Sequence, residues 1–217
     1  MLRLVCGNLN YSSWSVRPWL ALKHSGLEFR AHDIGLRTEA GWKERILSFS
    51  GAGQVPVLVD GPLSVHESLA ICEYVAELAP AARLWPEDRA LRARGRAISC
   101  EMHAGFEHLR NSMDMNIRAR ARRTPTSPQI DADVARVLDI WRASLESNGG
   151  PFLLGAFSVA DCMFFPVATR FRTYGVALPD FAQAYSASLF ALPFVQELEQ
   201  LARTTPAIPE YDVALGG

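Results

Sequence analysis

The sequence predicts two folded units in tandem: an α/β unit of order β-α-β-α-β-β-α over residues 1–80, then an all-helical unit over residues 88–217. Three observations carry this. Short β-branched runs alternate with helix-period runs only in the first third. Pro80 to Pro86 (Pro-Ala-Ala-Arg-Leu-Trp-Pro) shows no periodicity and reads as a linker over residues 81–87. Beyond it no strand pattern returns.

The elements follow in order. Leu2 to Cys6 is a first strand, and Gly7 to Ser13 a polar loop. Trp14 or Ser15 opens a helix that runs to Ser25 and stops at Gly26, with Pro18 in its first turn, where a missing N–H costs little. Leu27 to Ile34 alternates and reads as a second strand; Thr38 to Phe49 is a weaker helix. Val55 to Val59 is a strand with Pro56 at its start. Gly61-Pro62 turns it into a second short strand, Leu63 to Val65. From Ser68 the apolar residues Leu69, Ile71, Cys72, Val75 and Leu78 take helical spacing. The β-α-β start fits a parallel pair joined by a right-handed crossover, and the Gly-Pro turn fits an antiparallel hairpin.

After the linker, Asp88 to Ala119 reads as one long helix, with Leu91, Ile98, Met102, Phe106, Leu109, Met113 and Ile117 on one stripe. Arg120 to Pro128 is a basic loop. Gln129 to Ser147 is a helix stopped by Asn148-Gly149-Gly150-Pro151. A third begins at Ser158, and its run Cys162 to Val167 is apolar all round, which places it at the centre. Pro193 to Ala202 is the last helix, and Thr204 to Gly217 reads as a loose tail.

Composition narrows the function. With 49 % apolar residues in a chain of 217, a sizeable core is available. A net charge of −1 argues against a general nucleic-acid or membrane surface. No apolar run reaches the ~18 residues of a membrane span, and the N-terminus reads as a strand, not a signal peptide. Cys6, Cys72, Cys100 and Cys162 form no Cys-x-x-Cys. They read as reduced core residues of a cytoplasmic protein. No histidine pair has ligand spacing, so no metal site is expected.

Three motifs carry candidate chemistry. The loop Asn10-Tyr11-Ser12-Ser13-Trp14-Ser15 turns from strand to helix and points hydroxyls and backbone N–H groups at one spot. A thiolate there would gain a charge-assisted hydrogen bond and the helix dipole. Lowering a thiol pKa from about 8.5 to about 6.5 takes roughly 2.7 kcal/mol, which those two effects together supply. Taken alone, the loop reads more readily as N-cap serines. Val55-Pro56 is a place where a cis bond would leave Val55 free to pair with an extended peptide. Glu67-Ser68 opens a helix, where a hydroxyl can donate to a ligand carboxylate and Glu67 can accept from an ammonium; ordinary capping is the structural alternative. Ser158 to Asp161 is a capping box and reads as structural. Arg118, Arg120, Arg122 and Arg123 form a basic cluster that reads as a solvated helix end.

Together these pieces resemble the cytosolic glutathione S-transferases over essentially the whole chain: a thioredoxin-like β-α-β-α-β-β-α domain, Val-Pro, Glu-Ser, a linker, and helices with Ser-x-x-Asp. Ser12 to Arg17 followed by Leu20-Ala21-Leu22, with Gln54-Val55-Pro56 and Glu67 to Ile71, is similar to the serine-type zeta class. The resemblance implies glutathione as co-substrate and a homodimer. It makes Ser12 the hydroxyl that stabilises the thiolate, with Ser13 and Trp14 beside it and Tyr11 as a competing donor. It gives Val55, a cis Pro56 and Gln54 to the peptide, and Glu67 and Ser68 to its γ-glutamyl end. Met102, His103, Phe106 and Arg110 are candidates for the electrophile wall. Trp14 stands where the zeta class has cysteine. The expected activity is conjugation of a small electrophile. A glutathione-dependent isomerase of maleylacetoacetate type and a non-catalytic ligand-binding or protein-interaction member of the fold are the alternatives.

Overall fold

The computed structural model describes residues 1–36, 39–120 and 123–213. A four-stranded mixed sheet forms from β1 (Leu2–Cys6), β2 (Phe29–Asp33), β3 (Val57–Asp60) and β4 (Leu63–His66), in the order β2-β1-β3-β4. β1 runs parallel to β2 and antiparallel to β3, and β3 to β4 is the expected hairpin. Three helices complete this thioredoxin-like domain: α1 (Ser13–Ser25), α2 (Trp42–Leu47) and α3 (Ser68–Leu78). The start of the predicted Thr38–Phe49 helix lies outside the described residues.

The rest is helical. After a 3-10 turn at Pro80–Ala82 come α4 (Arg89–Ala104), α5 (Glu107–Ser112), α6 (Pro128–Asn148), α7 (Val159–Tyr174), α8 (Asp180–Phe190), α9 (Pro193–Thr204) and α10 (Pro209–Val213). α7 is the hub. All but one of its residues are buried, and it packs against α1, α3 and α4. One apolar cluster runs from Leu4 and Leu20 of the sheet domain through Ile71 and Val75 to Phe164 and Phe171 of α7. Two units that share a core cannot slide freely, and this fixes any site at their junction.

Four expectations are corrected. The long helix is two, because Gly105 caps α4 and Phe106 then takes a left-handed backbone (φ +59°) before α5 begins. A Cβ at Gly105 would meet the Glu101 carbonyl at 2.9 Å. Pro18 lies in the body of α1, since the helix starts two residues before Ser15; the Trp14 carbonyl therefore has no i+4 donor. Arg118 ends no helix. It donates to the Tyr11 hydroxyl at 2.6 Å and to Asp212 Oδ2 at 3.1 Å, and Arg120 meets Glu199 at 3.4 Å; Arg122 lies outside the described residues. The tail is not loose through residue 213: Asn8 Nδ2 donates to the Pro206 carbonyl at 3.2 Å, and Tyr211 stacks on Tyr11 at 5.3 Å. α8 also forms where the sequence reading assigned no element, with Ala182, Tyr185 and Leu189 buried.

The capping box at α7 behaves as expected. Asp161 Oδ2 accepts from the Ser158 N–H and hydroxyl, both at 2.9 Å. Its Oδ1 accepts from Leu153 N and the Tyr185 hydroxyl, both at 3.0 Å. One carboxylate thus ties the start of the central helix to the preceding loop and to α8.

Candidate active site at the domain junction

A cleft of about 750 Å³ opens between the sheet domain and the helices. Three segments of the sheet domain converge on it: the loop Tyr11–Trp14, the segment Gly53–Pro56, and His66-Glu67. The facing wall comes from His103, Asn111, Asp114, Met115 and Arg170, with Ile208 and Tyr211 from the tail.

The first loop is held from both sides. Asn10 is fully buried; its Nδ2 donates to Asn116 Oδ1 at 2.9 Å, and its Oδ1 accepts from Arg118 N at 3.1 Å. Gly7 N donates to Ser15 Oγ at 3.1 Å. Ser12 is the N-cap of α1, accepting from Ser15 N at 3.4 Å, and its hydroxyl donates to Ser15 Oγ at 2.9 Å. Ser13 Oγ accepts from Arg170 Nη2 at 3.4 Å. Both hydroxyls therefore lie at the N-terminus of a 13-residue helix, where backbone N–H groups and the dipole favour an anion.

Tyr11 is committed elsewhere. Its hydroxyl donates to Asp212 Oδ2 at 2.8 Å and accepts from Arg118 at 2.6 Å and from Ile208 N at 3.2 Å. Burial pushes its pKa up. The phenol anchors the tail and has no proton left for a sulfur in the cleft.

The Val55–Pro56 peptide bond is cis, as the sequence reading anticipates, and both residues line the cleft beside the exposed Gln54. Glu67 takes φ +70°, a costly backbone for a non-glycine residue, and this turns its carboxylate into the cleft mouth. There it lies 3.3 Å from His103 Nε2. Burial lowers the His103 pKa, and Arg17 lowers it further, so this imidazole is neutral at pH 7 and leaves the Glu67 charge uncompensated. Ser68 is fully buried, and its Oγ has no hydrogen-bond partner. Its side chain is not on the cleft wall, so what α3 offers a ligand is backbone N–H groups.

Of the four residues expected on the electrophile wall, only His103 lines the cleft. Met102 and Phe106 are core residues, Met102 on the buried face of α4 and Phe106 at the left-handed turn that follows Gly105. Arg110 is half-buried behind the wall; it donates to the carbonyls of His103 and Gly105 at 3.3 and 3.1 Å and sits 4.7 Å from the Trp14 ring. Sequence reasoning missed Asn111, Asp114, Met115 and Arg170. Arg170 did carry a signal, being a charge on the flank of an otherwise apolar central helix.

The fold and this convergence of segments define an α/β-plus-helical protein with a ligand-sized cleft between its two units, lined by hydroxyls at the α1 N-terminus and by a cis-proline segment. The N-terminal domain model of glutathione S-transferase matches residues 11–78, and the C-terminal domain model matches residues 101–191. The chain belongs to the glutathione S-transferase family. It is 39 % identical over 99 residues to a probable maleylacetoacetate isomerase of Caenorhabditis elegans, covering 46 % of this chain and 45 % of that one. It is 28 % identical over 169 residues to the maleylacetoacetate isomerase of Rattus norvegicus, covering 76 % of each. The chain thus spans less than half of the first relative and about three quarters of the second. Among solved structures it is similar to a Burkholderia glutathione transferase homologue with bound glutathione, at a TM-score of 0.71 and 21 % identity, covering 93 % of this chain and 97 % of that one.

Proposed function

We propose that this chain binds glutathione in the junction cleft and stabilises its thiolate for attack on a small electrophile. The observation that carries the reading is the convergence of Ser12-Ser13, Val55-cis-Pro56 and Glu67 on one cleft of ligand size. In this reading the Val55 backbone pairs with the cysteinyl residue. Glu67 accepts from the γ-glutamyl ammonium, and the N–H groups at the start of α3 take that residue's carboxylate. The sulfur then lies at the α1 N-terminus within reach of the Ser12 and Ser13 hydroxyls.

Ionisation comes first: the thiol proton leaves to solvent, and the hydroxyls and helix end hold the negative sulfur. The sulfur pair then forms a C–S bond to the electrophile, and the displaced electrons leave with the leaving group or as a carbanion that takes a proton. No covalent enzyme intermediate is involved; catalysis is thiolate stabilisation plus proximity. His103, Asn111, Asp114 and Met115 bound the space for the electrophile. The same reading makes the protein a cytoplasmic homodimer with a detoxifying role, as the family resemblance implies; among the described residues no helix is long and apolar enough to cross a membrane.

A glutathione-dependent isomerase is the second reading, favoured by the names of the two relatives above. Trp14 weighs against it, since it fills the position of the zeta-class cysteine with a large ring. Calorimetric titration of glutathione into the wild type and Glu67→Gln tests the site. A saturable wild-type isotherm weakened at least tenfold in the variant is expected; no wild-type binding overturns both readings. Side-by-side turnover of an activated haloarene and of a cis-enone diacid then separates transfer from isomerisation.

A further inference from the structure

The ground beneath Ser13 holds positive charge that the described chain does not neutralise. Arg17 is 1 % exposed, and its Nε and Nη1 have no hydrogen-bond partner. Its guanidinium carbon lies 4.5 Å from the Trp14 ring centroid, and that of Arg110 lies 4.7 Å from the same centroid. Arg170, 5 % exposed, reaches across from α7. Its Nε donates to the Met113 carbonyl at 2.7 Å and its Nη1 to the Pro166 carbonyl at 3.2 Å. Its Nη2 is turned to Ser13 Oγ at 3.4 Å, and the side chain lines the cleft.

Among the described residues none of these three arginines forms an ion pair. The carboxylates that face them are Asp114 and Glu67 on the cleft wall and Glu107 next to Arg110, and Glu67 turns its carboxylate to the neutral His103 at 3.3 Å. The cations also act on one another. Burial, then Arg170 and Arg110, bring Arg17 down to about 9; burial, then Arg110, bring Arg170 down to about 10. Both are still charged at pH 7. Buried cations without counter-charges are costly, and a fold that keeps two of them near the half-buried Arg110 calls for an anion from outside.

We propose that Arg170 is a positioning residue for the thiolate: its guanidinium fills an acceptor site of Ser13 Oγ, so that the Ser13 hydroxyl presents its proton to the glutathione sulfur, while Arg17 and Arg110 add to the positive potential there. The inference rests on the glutathione reading. A hydroxyl that accepts from a cation is a stronger donor, because the two hydrogen bonds polarise one another. The helical domain thereby sets the chemistry of a ligand held mainly by the sheet domain.

The test is thiolate absorbance of bound glutathione against pH in the wild type, Arg170→Gln, Arg170→Lys and Ser13→Ala, with the affinity for S-methylglutathione measured alongside. S-methylglutathione carries no ionisable thiol and reports the fold of the site alone. The expected result is a thiol pKa raised by about one unit in Arg170→Gln and in Ser13→Ala, which lowers the thiolate fraction about threefold at pH 7 and about tenfold at pH well below the midpoint. Arg170→Lys should retain most of the wild-type shift, and affinity for S-methylglutathione should stay within about twofold. An unchanged thiol pKa in Arg170→Gln with retained S-methylglutathione binding overturns the proposal. If Arg170→Gln does not fold, an unchanged thiol pKa in Ser13→Ala overturns it equally. A wild type that binds no S-methylglutathione refutes the glutathione reading instead.

Discussion

At the scale of single residues, the site separates hydroxyls that are free to act from those already used. Tyr11 looked like a rival thiolate donor because a phenol on that loop is chemically able. Its three partners, Asp212, Arg118 and Ile208, remove it from contention. Tyr11→Phe should therefore leave the pKa of bound glutathione within about 0.3 units of wild type, while hydrogen exchange at residues 206–213 quickens as the tail loses its anchor. A pKa shift as large as that of a serine variant would contradict this. Arg17 makes the opposite point. Replacing a buried, unpaired cation by an apolar side chain of similar length removes a desolvation cost. Arg17→Met should then raise the unfolding free energy by about 1–4 kcal/mol in a denaturant titration, even as it weakens thiolate formation.

The residues that could be read from the sequence were those whose role is local. Ser12 announced itself as a cap, Pro56 as a turn into a strand, and Glu67-Ser68 as a helix start. Arg170, Asn111 and Asp114 could not be read this way, because their place depends on how α7 packs against α1 and α5 against α6. No spacing rule reports that.

Among the elements, α7 is the one on which the arrangement depends, and its start depends on Asp161. Four hydrogen bonds converge on that carboxylate inside the protein. Asp161→Ala would strand the donors from Leu153, Ser158 and Tyr185, with an expected loss of about 3–5 kcal/mol by denaturant titration. The pH dependence has a defined sign. Burial pushes the Asp161 pKa from 3.8 up to about 6. The folded chain therefore holds this proton more tightly than the unfolded one. The contribution of Asp161 to stability is greatest below about pH 4 and declines as pH rises to about 6. Asp161→Asn should flatten stability over that window, read from melting temperatures at a series of pH values; an unaltered slope would contradict the assignment.

Elements with strong local signals emerged where the sequence put them: β1, the β3–β4 hairpin, α6 and the capping box at α7. The long helix after the linker did not. Its stripe keeps 3.6 spacing straight through Gly105, and only the left-handed turn at Phe106 divides it. The division matters, since the chain turns at Phe106, which is buried, and Asn111 and Asp114 beyond it line the cleft. The tail misled for a related reason: its anchors on Asn8, Tyr11 and Arg118 are long-range contacts with no periodic trace.

Across the whole molecule, the core that joins the sheet domain to α7 makes the cleft a shared property of both units. Asp212 completes the closure, accepting from Tyr11 and Asn116 at 2.8 Å and from Arg118 at 3.1 Å. Asp212→Asn should therefore raise KM for glutathione severalfold with little change in melting temperature, because it loosens a wall of the cleft and not the core. A drop in stability without a change in KM would place Asp212 in the scaffold alone.

Every role proposed for the cleft depends on its ionising the thiol of glutathione. The measurement that tests it most directly is the pH titration of thiolate absorbance in the wild-type complex with saturating glutathione. A midpoint near pH 6.5 is expected, about two units below a free thiol. A midpoint at the free-thiol value, with glutathione demonstrably bound, would contradict it.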